Sequence, residues 1–197
     1  MEHDDARLDP ADNAALARLI SRQLKRPIVL VGMMGVGKSS VGRRLANLLG
    51  LAFIDADEAI EQAAQMTIPE IFATYGEDYF RDGERRVIQR LIEESAGKRP
   101  MIIATGGGAF VNPETRALIL AKAIAVWLDA DVETLLQRVG RKDNRPLLRT
   151  GNPREILTRL KAEREPAYAQ APVHVQSGNQ PHSQTLAAVM KGVAQWL

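Results

Sequence analysis

Gly32-Met33-Met34-Gly35-Val36-Gly37-Lys38-Ser39 has the spacing G-x-x-x-x-G-K-[ST], which suits a loop that holds polyphosphate. Glycines let the loop wrap its N–H groups around an anion, and a helix starting there adds partial positive charge. Lys38 is long enough to reach the outer phosphates, and the Ser39 hydroxyl can ligate Mg²⁺. The loop follows Ile28-Val29-Leu30-Val31, an apolar run suited to a strand covered on both faces, and precedes Ser40 to Leu49, which reads as a helix. Strand, loop and helix in that order distinguish a phosphate-binding loop from a turn that happens to contain Lys-Ser. The expected nucleotide contacts along it are Gly35, Val36, Gly37, Lys38, Ser39 and Ser40.

The destination of the phosphoryl group must be read elsewhere. Asp55 and Asp57 stand at the C-terminal end of the apolar run Ala52-Phe53-Ile54, where ligands collect in open α/β sheets. If the strand continues that far, both side chains leave the same face. Two such carboxylates suit a divided role, one holding a metal's water shell and the other orienting and deprotonating an acceptor hydroxyl. The plainer alternative is that Asp57 caps a helix from Glu58 to Ala64. Arg81 and Glu84 lie three apart on a helical pattern and hence on one face, a spacing that usually means a solvated ion pair. Gly106-Gly107-Gly108 follow the apolar run Met101 to Ala104, and three glycines leave backbone N–H groups bare for a ligand's close approach.

These residues need a scaffold. The chain has 197 residues, 45% hydrophobic and 25% charged, which fits one ordinary globular domain and excludes disordered or collagen-like chains. Lys and Arg total 26 against 24 Asp and Glu, and an excess of +2 announces no nucleic-acid partner. The absence of cysteine excludes disulfides, thiolate zinc sites, iron–sulfur clusters and cysteine nucleophiles, and suits a reducing cytoplasm. Met1 to Asp5 lacks the apolar core of a secretory signal. The apolar stretches fall short of the about 20 residues needed to cross a bilayer, so no membrane partner is expected. Without a long apolar surface stripe, a monomer is expected.

Apolar runs recur at Ala52 to Ile54, Met101 to Ala104, Ala123 to Leu128 and, more weakly, Val173 to Val175. Helix starts alternate with them. Thr67-Ile68-Pro69-Glu70 is a capping box, and Asn112-Pro113 and Asn152-Pro153 are capping residues followed by proline, so helices are expected near 68–75, 113–122 and 153–170. Strands separated by helix-sized segments imply an α/β fold with a mainly parallel sheet between helical layers. Leu16, Leu19, Ile20 and Leu24 mark a short amphipathic helix ahead of the first strand, which reads as an appendage. Between Arg138 and Arg149, five basic residues face only Asp143, as in a mobile basic loop.

Taken in order, these motifs closely resemble the shikimate kinase family. The phosphate loop is followed by F-x-D-x-D-x-x-I-E at Phe53 to Glu61, G-E-x-x-F-R-x-x-E at Gly76 to Glu84, the glycines 106–108, R-P-L-L at Arg145 to Leu148 and R-x-P-x-Y at Arg164 to Tyr168. The resemblance covers about residues 27 to 185. It implies a P-loop NTPase, nucleoside monophosphate kinase-like fold with three layers, a central five-stranded parallel sheet and a mobile lid at about 138–152. Ahead of a kinase domain at 27–197 would stand an N-terminal extension, 1–26.

The implied activity is transfer of the γ-phosphoryl of ATP to the 3-hydroxyl of shikimate, in chorismate and aromatic amino-acid biosynthesis. By similarity Asp57 is the base, Lys38 and Arg145 stabilise the transferring phosphoryl, and Arg81 and Arg164 hold the substrate carboxylate with Glu84 positioning Arg81. Gly106, Gly107 and Gly108 line the substrate pocket, and Arg141 and Gln180 face the adenine. No acidic residue precedes the glycines, which leaves Ser39 as the direct Mg²⁺ ligand with Asp55 acting through water. Arg138, Lys142 and Arg149 read as solvated charge.

Three rivals are weaker. A gluconate-type kinase shares the phosphate loop but not the Asp55/Asp57, Arg81/Glu84 and triple-glycine set. A ligand-sensing transcriptional regulator needs a DNA-binding module that residues 1–26 are too short to form, and an inactive paralogue would not keep Lys38, Asp57, Arg81, Arg145 and Arg164 together. His3, His174 and His182 lack metal-ligand spacing, and Trp127 and Trp196 read as packing residues.

Overall fold

The computed structural model describes residues 10–96, 99–139, 151–178 and 181–197. Five strands, β1 (Ile28–Val31), β2 (Ala52–Asp55), β3 (Met101–Ala104), β4 (Ile124–Asp129) and β5 (Val173–Gln176), form one parallel sheet in the order β2-β3-β1-β4-β5. Parallel neighbours require crossovers, and helices supply them. They are α1 (Pro10–Gln23), α2 (Lys38–Leu49), α3 (Ala56–Ala64), α4 (Ile68–Ala96), α5 (Pro113–Lys122), α6 (Val132–Val139), α7 (Pro153–Tyr168) and α8 (His182–Trp196). The α/β class and five-stranded parallel sheet read from the sequence are those observed.

Strand composition follows burial. β1 and β3 are buried at every position and are uninterrupted apolar runs, whereas the edge strand β5 alternates buried and exposed residues. A strand covered on both faces excludes polar side chains from both, while an edge strand need only satisfy one. That alternation explains why Val173-His174-Val175 carries the weaker apolar signal.

The capping signals act as chemistry predicts. Glu70 accepts from the Thr67 backbone N–H at 2.8 Å, while Thr67 Oγ1 lies 3.4 Å from the Glu70 N–H. Asn112 and Asn152 cap α5 and α7 by accepting from the N–H groups of Thr115 and Arg154. The second strand departs from expectation. It ends at Asp55, whose carboxylate accepts from the Asp57 N–H at 3.1 Å, so Asp55 rather than Asp57 caps a helix starting two residues earlier than expected. The bond satisfies a donor that would otherwise be orphaned in the first turn. Helix α4 breaks at Gly76 (φ 82°), dividing it between the two motifs read on either side.

Helix α1 contributes to the main core. Ala17, Ile20 and Leu24 are buried in the same hydrophobic cluster as the sheet, and the Ser21 hydroxyl donates to the Leu49 carbonyl at the end of α2. Arg26, just beyond α1, lies over the Trp196 ring of α8. Removing most of a fully buried isoleucine side chain costs about 2–5 kcal/mol when the cavity cannot collapse. Ile20→Ala should therefore lower stability by about 3 kcal/mol in urea unfolding, and a change too small to measure would show α1 to be dispensable packing.

Candidate active site

The C-terminal ends of the edge strand β2 and of β3 and β1 beside it lie side by side, and each delivers part of the site. From β1 the chain enters the loop 32–39, where Gly37 (φ 102°) turns into α2 in a conformation that disfavours side chains. Lys38 donates through Nζ to the carbonyls of Gly32 at 2.8 Å and Met33 at 3.0 Å, folding back along the loop it belongs to. Ser39 Oγ donates to Asp55 Oδ2 at 2.7 Å. Asp55 thus serves twice, holding α3 with one oxygen and meeting the Ser39 hydroxyl with the other.

The three glycines after β3 are where the site closes up. A Cβ at Gly106 would lie 2.8 Å from Asp57 Oδ1 and 3.0 Å from Glu84 Oε1. At Gly107 it would lie 3.3 Å from an Arg164 terminal nitrogen and 3.4 Å from the Met34 amide nitrogen. At Gly108 it would meet all three terminal guanidinium atoms of Arg81 within 2.6–2.9 Å. The turn therefore needs glycine for room, and it brings Asp57, Arg81, Glu84, Arg164 and the phosphate loop to one place. Thr105 anchors its start by donating from both N–H and hydroxyl to the Leu30 carbonyl.

The electrostatics match that crowding. Burial pushes the Asp57 carboxyl up, Asp55 adds to the push as a like charge, and Lys38 and Arg81 oppose it. Burial also pushes the Glu84 carboxyl up against the pull of Arg81, Glu84 being only 2% exposed. Arg81 donates to Glu84 at 2.9 Å. The Arg81–Glu84 pair is thus a directional contact between a buried carboxylate and a half-buried guanidinium. Burial opposes the charge of Arg81, yet its two carboxylate partners raise its pKa overall.

Several contributors were not singled out in the sequence. The Tyr168 hydroxyl donates to the Gly107 carbonyl and is pushed up to about 12, chiefly by burial. Its motif, R-x-P-x-Y, was recognisable, although nothing in the spacing shows what the hydroxyl meets. Arg116 of α5 donates to the carbonyls of Phe110 at 3.1 Å and Val111 at 2.9 Å, fixing the far end of the glycine turn. Arg138 corrects the solvated-charge expectation. It donates to the carbonyls of Val36 at 3.0 Å, Ser177 at 3.2 Å and Gly178 at 2.5 Å, joining α6 to the phosphate loop and to the turn after β5. Its place at the end of an amphipathic helix leading toward the loop was the available clue. Arg141, Lys142, Arg145, Arg149 and Gln180 lie outside the described residues.

Sheet order, phosphate loop and a cleft with facing carboxylate and guanidinium groups define a P-loop kinase of small molecules. The sequence pattern of shikimate kinases matches residues 34–194. The chain belongs to the shikimate kinase family and is an ATP-dependent kinase. It is 63% identical to the shikimate kinase of Novosphingobium aromaticivorans over 197 residues, all of both chains. It is 60% identical to that of Caulobacter vibrioides over 170 residues, 86% of this chain and 83% of the relative. Among solved structures, it resembles a shikimate kinase from Acinetobacter baumannii in complex with shikimate, with TM-score 0.78 and 36% identity over 91% of this chain and 97% of the other. Among the described residues, no helix is long and apolar enough to cross a membrane.

Gly108→Ala tests the close approach directly. The added methyl displaces the Arg81 guanidinium from its carboxylate partners, so turnover should fall more than about tenfold, measured as ADP release, in a protein whose far-UV circular dichroism shows that the fold is kept. Undiminished turnover would show that Arg81's placement against the glycine is not needed.

Proposed function

We propose that the chain transfers the γ-phosphoryl group of ATP to the 3-hydroxyl of shikimate, giving shikimate 3-phosphate and ADP on the route to chorismate and the aromatic amino acids. The observation that carries this reading is the convergence on the 106–108 turn of two guanidinium groups, two carboxylates and the phosphate loop. An acceptor carrying a carboxylate and several hydroxyls needs such an arrangement, with cationic forks for the acid and an acceptor for the alcohol proton.

In this reading Arg81 and Arg164 grip the acceptor carboxylate, Glu84 holds Arg81 in place, and the backbone of Gly106, Gly107 and Gly108 lines the pocket. Asp57 accepts the proton of the attacking hydroxyl as its oxygen bonds to the γ-phosphorus and the bond to the bridging oxygen of ADP breaks. Burial favours the base role by bringing the Asp57 carboxyl nearer the working pH. Gly35, Val36, Gly37, Lys38, Ser39 and Ser40 hold the nucleotide, Lys38 stabilising charge on the phosphoryl in transit. Arg145 completes that stabilisation and Arg141 and Gln180 face the adenine, three assignments supported by the family resemblance alone.

Mg²⁺ is the proposed cofactor. The Ser39 hydroxyl and Asp55 carboxylate are adjacent hard oxygen donors at the foot of α2. Among the described residues no three acidic or histidine side chains form a metal cage. That donor set fits an ion that takes one or two protein oxygens and completes its shell with phosphates and water. Bound there, the ion would neutralise phosphate charge. We also propose a division into an extension at 1–26 and a kinase domain at 27–197 with a lid at 138–152. A monomer acting in the cytoplasm, without nucleic-acid or membrane partners, completes the reading.

The acceptor is tested by coupled ADP release with shikimate, gluconate or no acceptor. Turnover with shikimate alone is expected, and equal rates with gluconate would overturn the assignment. Asp57→Asn should abolish turnover and leave ATP binding near normal, since it removes the proton acceptor while keeping every residue of the phosphate loop. It should also raise the thermal midpoint at pH 7. An acid whose folded pKa exceeds its unfolded one binds more protons folded, so its charge costs stability at high pH. The gain should shrink as pH falls through the raised range and vanish below the ordinary aspartate range, where both states are protonated. Retained turnover would reject Asp57 as the base.

A further inference from the structure

Glu77, the first residue after the break in α4, stands outside every role given above. Its Oε1 accepts from Arg81 Nε at 3.2 Å and from Arg81 Nη2 at 3.0 Å, while Glu84 accepts from Nη1. A guanidinium has five N–H donors. These three bonds leave one hydrogen on each terminal nitrogen and none on Nε. The two carboxylates differ in kind: Glu84 is 2% exposed and Glu77 is 64% exposed. Held by them and lying against Gly108, the guanidinium cannot turn about its long stem without breaking at least one bond.

We infer that Glu77 is a positioning residue, which fixes the Arg81 fork so that its two remaining terminal hydrogens meet the carboxylate of the acceptor. The inference rests on the reading that Arg81 grips that carboxylate. The break at Gly76 places Glu77 at the start of the second helical segment, four residues before Arg81, where helical spacing delivers its carboxylate to the guanidinium. Glu77 touches no substrate in this arrangement. It lowers the number of conformations from which the arginine must be recruited when the acid arrives, so its contribution belongs to acceptor binding and not to the phosphoryl-transfer step.

The test is steady-state kinetics of the full chain with shikimate and ATP varied separately. Glu77→Ala should raise KM for shikimate about three- to five-fold, the scale of an exposed ion pair, with kcat and KM for ATP within about twofold. Glu77→Gln keeps an oxygen able to accept both N–H groups and should restore most of the loss. In an Arg81→Ala background, Glu77→Ala should have no further effect on KM for shikimate. A KM for shikimate that is unchanged or lowered in Glu77→Ala overturns the inference, a lowered value meaning that Glu77 competes with the substrate. Failure of Gln to rescue, or additivity with Arg81→Ala, overturns it too. If Arg81→Ala itself leaves KM for shikimate unchanged, the underlying site reading fails. If Arg81→Ala raises it and Glu77→Ala does not, only the role of Glu77 fails.

Discussion

The backbone of residues 106–108 is bare of side chains, and the rest of the site depends on that bareness. Asp57, Glu84, Arg81 and Arg164 come from three different helices, and each approaches a glycine to within a distance that a methyl group would obstruct. Like and unlike charges are thereby forced together in a partly dry space, where their interactions are stronger than in water and their pKa values move. The upward push on Asp57 follows from this geometry. A turn with side chains would hold the charged groups apart, and each would relax toward solvent.

Support for the turn comes from residues without charge-transfer chemistry of their own. Thr105 ties its start to β1, Arg116 fixes its far end, and Tyr168 grips its middle carbonyl. These contacts link the two halves of the cleft mechanically, because the element carrying Tyr168 also carries Arg164 four residues earlier. The phosphate loop is braced in the same manner from its other side, where Val36 accepts from both Arg138 and the Ser177 hydroxyl. Catalytic geometry of this type demands supporting bonds of fixed length, since small misplacements of reacting groups are costly.

Much of this was legible in the chain. Continuous apolar runs located the inner strands because burial on both faces leaves them no polar positions. Thr67, Asn112 and Asn152 announced helix starts because an orphaned N–H needs an acceptor at a fixed offset. The boundary between β2 and α3 was not legible. It is set by whether Asp55 continues the strand or turns its carboxylate onto the Asp57 N–H, and residue type alone does not rank those outcomes. The burial of α1 was missed for a related reason, since an amphipathic pattern reveals an apolar face but not what covers it. Arg138 reads as solvated charge in a basic segment until the carbonyls around it are placed in space.

The two tryptophans divide the molecule into separately observable regions. Trp127 is 5% exposed, stacks on His174 at 3.9 Å between ring centres, and has its Cδ1 3.4 Å from where a Cβ of Gly32 would stand. Trp196 is 38% exposed beneath Arg26 at the junction of α1 and α8. With only two such residues in the chain, replacing either by phenylalanine leaves a single tryptophan, which can be excited apart from the tyrosines. One variant then carries an intrinsic fluorophore against the nucleotide cradle, and the other carries one at the seam where the N-terminal helix joins the body, so optical titration and optical melting can be read from different ends of the same protein.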